Sequence, residues 1–225
     1  LKREDVINAA NIKPGHVIVG LASFGKATYE DAENSGISSN GLTAARHMLL
    51  SKIYLEKYPE SISETIPADK VYCGKFRLED KLPGSDMTVA QAILSPTRTY
   101  LPIVKEVLAS CRSQISGMIH CTGGGQAKCR DFGKNLRYVK DNLFPFPPIF
   151  QAIYESGEIP LKEMYQVFNC GHRLEFYCDP AVAERIIEIA ASFSVEARIV
   201  GRVEALPEGS RNEVVITAGN EEFIY

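Results

Sequence analysis

His120-Cys-Thr-Gly-Gly-Gly-Gln126 is the stretch on which the fold turns. The residues leading into it, Gly117–Cys121, read as a short buried strand carrying Met118 and Ile119. Three glycines in a row then strip the turn of side chains, and a helix can follow. Strand, glycine run and helix are the local anatomy of many phosphate sites. Bare backbone N–H groups can point at an anion, and a helix N-terminus adds partial positive charge. The triplet lacks the Lys-Ser/Thr of a P-loop and the spacing of a dinucleotide fingerprint. Pattern alone therefore leaves two readings open, a tight turn without a ligand or a close approach to one. His120 divides the same way, between a satisfied core histidine and a hydrogen-bonding group at a site.

Downstream, Arg173–Cys178 alternates apolar and polar residues and predicts a half-buried strand, with Cys178 in the core. Asp179 and Pro180 form a cap and first-turn pair for a helix carrying Val182, Ile186, Ile189 and Ala190. Ala197–Val203 and Glu213–Thr217 read as closing strands. Pro147-Pro148 opens a helix through Tyr154, and Pro160 opens another through Phe168. Asn169-Cys170-Gly171 then turns the chain, with His172 in the same turn as a ligand contact or a solvated group. Upstream, Val17–Leu21 is a buried strand. Leu42, Ala45, Leu49 and Ile53 recur at helical spacing behind Ser39-Asn40-Gly41, which suits a helix cap. Lys26–Ser38 reads as an exposed loop. Glu56–Ser85, punctuated by three prolines, reads as a long excursion with short strands around Val71-Tyr72. Pro96–Tyr100 is extended, and Arg98 within it makes either a structural salt bridge or an anion contact. Pro102 opens a helix through Cys111. Strands and helices mix without strict alternation, which predicts an α/β layered domain with a mixed β-sheet and packed helices.

The 225 residues are 45% hydrophobic and 24% charged, an ordinary globular balance for one large domain or two small ones. A formal charge of −3 supplies no basic field for polyanions, which argues against nucleic acid as the main partner. No apolar run approaches the ~20 residues that cross a bilayer. Six cysteines without a Cys-x-x-Cys pair predict reduced thiols in the cytoplasm and no protein metal site.

Taken in order, several segments resemble one family. These are Val17-Ile-Val-Gly-Leu-Ala-Ser-Phe-Gly25, Ser39-Asn-Gly-Leu-Thr-Ala-Ala-Arg46, Leu94-Ser-Pro-Thr-Arg-Thr-Tyr100 and Met118-Ile-His-Cys-Thr-Gly-Gly-Gly125. Pro147-Pro-Ile-Phe150, Glu163-Met-Tyr-Gln-Val-Phe-Asn-Cys-Gly171 and Ile199-Val-Gly-Arg-Val203 continue the series. The family is phosphoribosylformylglycinamidine cyclo-ligase, or aminoimidazole ribonucleotide synthetase, of purine biosynthesis, and the match is to its C-terminal domain. The resemblance implies one such domain over residues 1–225, with insertions at 26–38 and about 56–92. It also implies an N-terminal ATP-binding domain outside this sequence, which starts at Leu1 and is expected to be a piece of something longer. The chain departs from the family's pattern at His16, where Asp is common, and at His172-Arg173, where a small apolar pair is usual.

The implied reaction uses ATP to activate the amide oxygen of formylglycinamidine ribonucleotide and closes the imidazole ring, releasing ADP and phosphate. Magnesium and most ATP contacts would belong to the other domain, through which the full-length protein would form a homodimer. On this domain the resemblance implies substrate contacts from Ser39, Asn40, Gly41, Thr122, Gly123, Gly124, Gly125 and Asn169, with His120 as the proton-transfer candidate. Two rival functions fit the same residues: another ATP-using enzyme of the superfamily, or a non-catalytic ligand-binding module.

Overall fold

The structure is a computed structural model that describes residues 6–39 and 41–225. Its centre is a seven-stranded sheet made of β1 (Val17–Ala22), β2 (Ile115–His120), β3 (Leu136–Lys140), β4 (His172–Cys178), β5 (Ala197–Ala205), β6 (Glu213–Ala218) and β7 (Glu221–Ile224). The strand order is β2-β4-β1-β5-β3-β6-β7. Neighbours are antiparallel except β3 and β6, which run parallel, so the sheet is mixed as the sequence predicts. Helices α4 (Leu101–Cys111) and α7 (Ala183–Ser192) pack together, and α7 also lies on β1 and β5. The Pro102 start of α4 and the Asp179 cap are both present, the Asp179 carboxylate accepting from the Ala181 N–H at 2.9 Å. Helices α5 (Pro148–Tyr154) and α6 (Leu161–Val167) follow their prolines as expected. Among the described residues no helix is long and apolar enough to cross a membrane.

Four expectations need correction. Strand β4 is not half-buried: all seven of its residues are buried, because it lies between β1 and β2 and is covered on both faces. Its charged residues therefore sit inside the protein, and His172 starts the strand rather than lying in the turn. The helix read from Leu42 to Ile53 is two helices, α1 (Leu42–Leu49) and α2 (Ile53–Lys57). Leu50 is extended and bridges to Phe76, which draws the chain out of helical geometry. Val71 and Tyr72 are core residues without a strand; Tyr72 has a φ of 45° and its ring packs at a tilt against that of His47. The excursion holds the short 3-10 turns Pro59–Ser61 and Ala68–Lys70, and α3 (Val89–Ile93), whose Thr88–Gln91 capping box secures its start, follows it.

The 26–38 segment is an exposed loop only in its first part. Asn34, Ser35, Ile37 and Ser38 are buried. Asn34 and Ser35 donate to the carbonyls of Pro96 and Ala92, and Arg98 fixes the start of the segment. Its guanidinium donates to the carbonyls of Ala22, Phe24 and Gly25 at 3.0, 2.8 and 2.6 Å. It also pairs with both Glu30 carboxylate oxygens at 2.9 and 2.7 Å. Arg98 is thus the structural salt bridge of the two readings, and the loop wraps around it.

Candidate functional site

Three bends of the chain meet at Phe168, at the end of α6. The first is the entry to α1, where Gly41 has a φ of 75° and no side chain caps the helix. A β-carbon on Gly41 would lie 2.6 Å from the Phe168 ring. Backbone freedom and close approach are thus what Gly41 contributes; Asn40 lies outside the described residues. The second bend is the glycine triplet. Gly125 has a φ of 52°, and a β-carbon there would lie 2.4 Å from the Tyr165 carbonyl oxygen and 2.6 Å from that of Phe168. The third is the Asn169–Gly171 turn that begins where Phe168 ends.

The triplet itself divides. Gly125 is buried against α6, whereas Gly123 is exposed and a side chain there would meet nothing within 4 Å. The chain beyond Gly124 winds into a tight 3-10 turn, Gly125–Asp131, rather than an α-helix. Thr122, half-buried, donates its N–H to the His120 carbonyl at 2.7 Å. His120 is exposed at the end of β2 with its ring edge-on to Tyr100, so it is not a core histidine. Partial burial, with the Arg173 charge second, holds its imidazole below the usual value. Ser39 is exposed.

Asn169 is a clamp. It is buried; its side-chain oxygen accepts from Ser23 Oγ at 2.7 Å and from the Gly171 N–H at 3.1 Å. Its amide nitrogen donates to the Gly36 carbonyl at 2.8 Å. Its own carbonyl accepts from Gln126 Nε2, which also donates to the His172 carbonyl at 2.9 Å. The residue after the glycines therefore ties the triplet to the Asn169 turn.

Below these bends lies a buried charged hub that sequence reasoning missed. Lys140 Nζ pairs with Glu175 Oε1 at 2.5 Å and donates to the Gln126 carbonyl at 2.7 Å. His172 Nε2 lies 2.9 Å from the same carboxylate oxygen, and Tyr177 donates to Oε2 at 2.5 Å. Burial opposes the Glu175 charge, but Lys140 and then His172 prevail and hold its carboxyl well below the usual range. Burial lowers the His172 imidazole despite Glu175, which keeps it neutral. The signal for the hub was a lysine ending the apolar strand Leu136–Lys140 and a glutamate in β4. Glu175 was hidden by the half-buried reading of β4, and Lys140 by a strand that the sequence pattern did not reveal.

Cys121, His172 and Glu175 place one ligand atom each within 4.8 Å of one another. This set does not fit Mg2+, which takes oxygen ligands in octahedral geometry. Its only carboxylate is already neutralised by Lys140. A cavity of about 390 Å3 lies elsewhere, beside Phe24, Asn34, Gly84 and Pro148, and none of the predicted site residues lines it. Its buried polar walls are satisfied: Asn34 donates to the Pro96 carbonyl and Ser35 to that of Ala92.

Comparison with known proteins follows the same lines. The family model described as AIR synthase related protein, C-terminal domain, matches residues 13–212. A phosphoribosylformylglycinamidine cyclo-ligase of Methanopyrus kandleri is 36% identical over 217 residues, covering 96% of this chain and 51% of the relative. One of Methanocaldococcus jannaschii is 32% identical over 215 residues, covering 96% and 52%. The chain thus spans about half the length of the curated relatives it matches. Among solved structures, the hydrogenase maturation protein HypE superposes with a TM-score of 0.51 at 13% identity, over 96% of this chain and 54% of that one. PurL of Thermotoga maritima, complexed with FGAR, superposes with a TM-score of 0.50 at 14% identity, over 100% and 29%. These structures share the fold. The three-bend arrangement and the family match over residues 13–212 lead to one statement: the chain belongs to the AIR synthase related protein, C-terminal domain family.

Proposed function

We propose that the chain is the C-terminal half of an ATP-dependent phosphoribosylformylglycinamidine cyclo-ligase, acting in the cytoplasm as part of a full-length homodimer. The observation that carries this reading is the meeting of the 39–41 bend, the glycine triplet and the Asn169 turn at Phe168. Relatives carrying that enzyme's name align across 96% of the chain. In the proposed reaction the γ-phosphoryl of ATP is placed on the amide oxygen of formylglycinamidine ribonucleotide. The amidine nitrogen then attacks that carbon, and phosphate leaves as the imidazole ring closes. Ser39, Thr122, Gly123 and Gly124 present polar groups and unobstructed main chain to the phosphorylated ligand, while Gly41, Gly125 and Asn169 hold those bends in place. His120, kept neutral by burial and by Arg173, accepts the proton shed by the amidine nitrogen. Mg2+ would supply charge neutralisation at the triphosphate, and we assign it to the other half of the enzyme, because the Cys121–His172–Glu175 set found among the described residues does not fit it.

The test is ADP release by the full-length protein with ATP, Mg2+ and formylglycinamidine ribonucleotide. The wild type is expected to release ADP only when the ribonucleotide is present. His120→Ala is expected to lower kcat by about 10²–10⁴ with an unchanged melting temperature, since general acid–base groups contribute that much and His120 is exposed. ADP release with a different acceptor would assign the chain to another ATP-using enzyme of the fold. Binding without any turnover would make it a ligand-binding module. Wild-type rates in the variant would remove His120 from the chemistry.

A further inference from the structure

Arg173 is fully buried, yet its charge has no counter-ion among the described residues. Its Nη2 donates to the Gly36 carbonyl at 3.0 Å, while Nε and Nη1 make no hydrogen bond. The two buried or half-buried carboxylates of the region are already taken. Glu30 is held by Arg98 on both oxygens, and Glu175 is held by Lys140, His172 and Tyr177. The other ionisable groups acting on Arg173 are Tyr100, Cys121 and Arg98. Burial pushes the Tyr100 phenol and the Cys121 thiol far up, so both are neutral, and Arg98 repels. A guanidinium does not shed its proton at any physiological pH. An unpaired buried charge is among the most expensive features a protein can carry, and it persists only where something else compensates it.

Its position says what that is. Arg173 is the second residue of β4, just past the Asn169–Gly171 turn; its backbone carbonyl accepts the Cys121 N–H at 2.6 Å, and its charge is felt by exposed His120. Its Nη2 shares the Gly36 carbonyl with the Asn169 clamp. The stretch that supplies this carbonyl contains buried Ser38 in the left-handed region, at a φ of 61°. We infer that Arg173 is an anion-receiving residue: a phosphoryl group of a ligand seated beside His120 takes up its unpartnered guanidinium donors as the 36–39 stretch yields. Guanidinium N–H groups match the oxygens of phosphate in a bidentate way that lysine cannot reproduce. The inference shares its cleft with the proposed ring closure and names the group there that receives a ligand phosphate.

The experiment titrates inorganic phosphate into the 225-residue chain, and into Arg173→Met and Arg173→Lys, following melting temperature and heat of binding. Sodium chloride at matched ionic strength and sodium acetate are the controls. The wild type is expected to melt higher with phosphate in a saturable way, beyond chloride. Arg173→Met is expected to melt at or above the wild type without phosphate and to bind it at least tenfold more weakly. Arg173→Lys is expected to bind with intermediate affinity, which keeps the test decisive if the methionine variant does not fold. Equal phosphate responses in wild type and variants, or none in the wild type beyond chloride, would overturn the inference. Acetate binding as tight as phosphate would overturn the ligand class. Phosphate binding that depends on Arg173, in a full-length protein that never closes the ring, would sink the proposed function and leave this assignment standing.

Discussion

Arg173 and Glu175 stand two residues apart on β4, both fully buried and both charged, and their surroundings are opposite. Glu175 has a partner for each carboxylate oxygen, drawn from Lys140, His172 and Tyr177. Arg173 has one carbonyl and nothing negative among the described residues. The first environment is closed, since none of its side chains is left with an unpartnered buried polar atom, and such a network fixes geometry. The second is left incomplete by the protein, and its charge acts on exposed His120. A buried charge by itself therefore marks neither architecture nor function. The completeness of its hydrogen bonding separates the two.

The contrast can be broken most sharply at the closed end. Glu175→Gln leaves Lys140 buried without its counter-charge, and removing one partner of a buried pair typically costs about 3–5 kcal/mol. Urea unfolding should show that loss, and the double variant Glu175→Gln with Lys140→Met should recover most of it. A Glu175→Gln protein that unfolds like the wild type would show that the hub does not hold the sheet. The next effect is at Gly125, where alanine meets two carbonyl oxygens and a left-handed backbone, for a loss of roughly 3 kcal/mol. The smallest is at Gly123, where only the backbone preference opposes alanine, for about 1 kcal/mol. Equal losses at Gly123 and Gly125 in the same unfolding assay would erase the division of the glycine triplet into an anchored and an open end.

Much of the fold was legible because its elements carry local signals. Pro148, Pro160 and Asp179-Pro180 announce helix starts that depend on a fixed φ and a capping carboxylate, and Val17–Ala22 is a continuous apolar run. Strands β3 and β7 went unread because Arg137, Lys140, Glu221 and Glu222 interrupt the apolar pattern that identifies a strand. Lys140 and Glu175 lie 35 residues apart in sequence, and no local pattern encodes such a pairing. The site was legible as a set of bends, since glycine and asparagine runs mark backbone that must turn. Which member of each bend faces solvent was not, because Gly125 and Gly123 are identical residues distinguished only by the α6 carbonyls beside one of them. Asn169 shows the same limit: its type fits a ligand contact and a clamp equally well, and only Ser23, Gly36 and Gly171 around it decide.

Phe168 carries a consequence of its own. Its ring bears on Gly41 and its carbonyl on Gly125, so one aromatic spacer sets the gap between two loops that are 84 residues apart in the chain. Exchange of that ring for a smaller apolar group would let the loops draw together without altering any polar atom between them. Gape can thus be tuned from behind the wall, leaving the chemistry in front of it untouched.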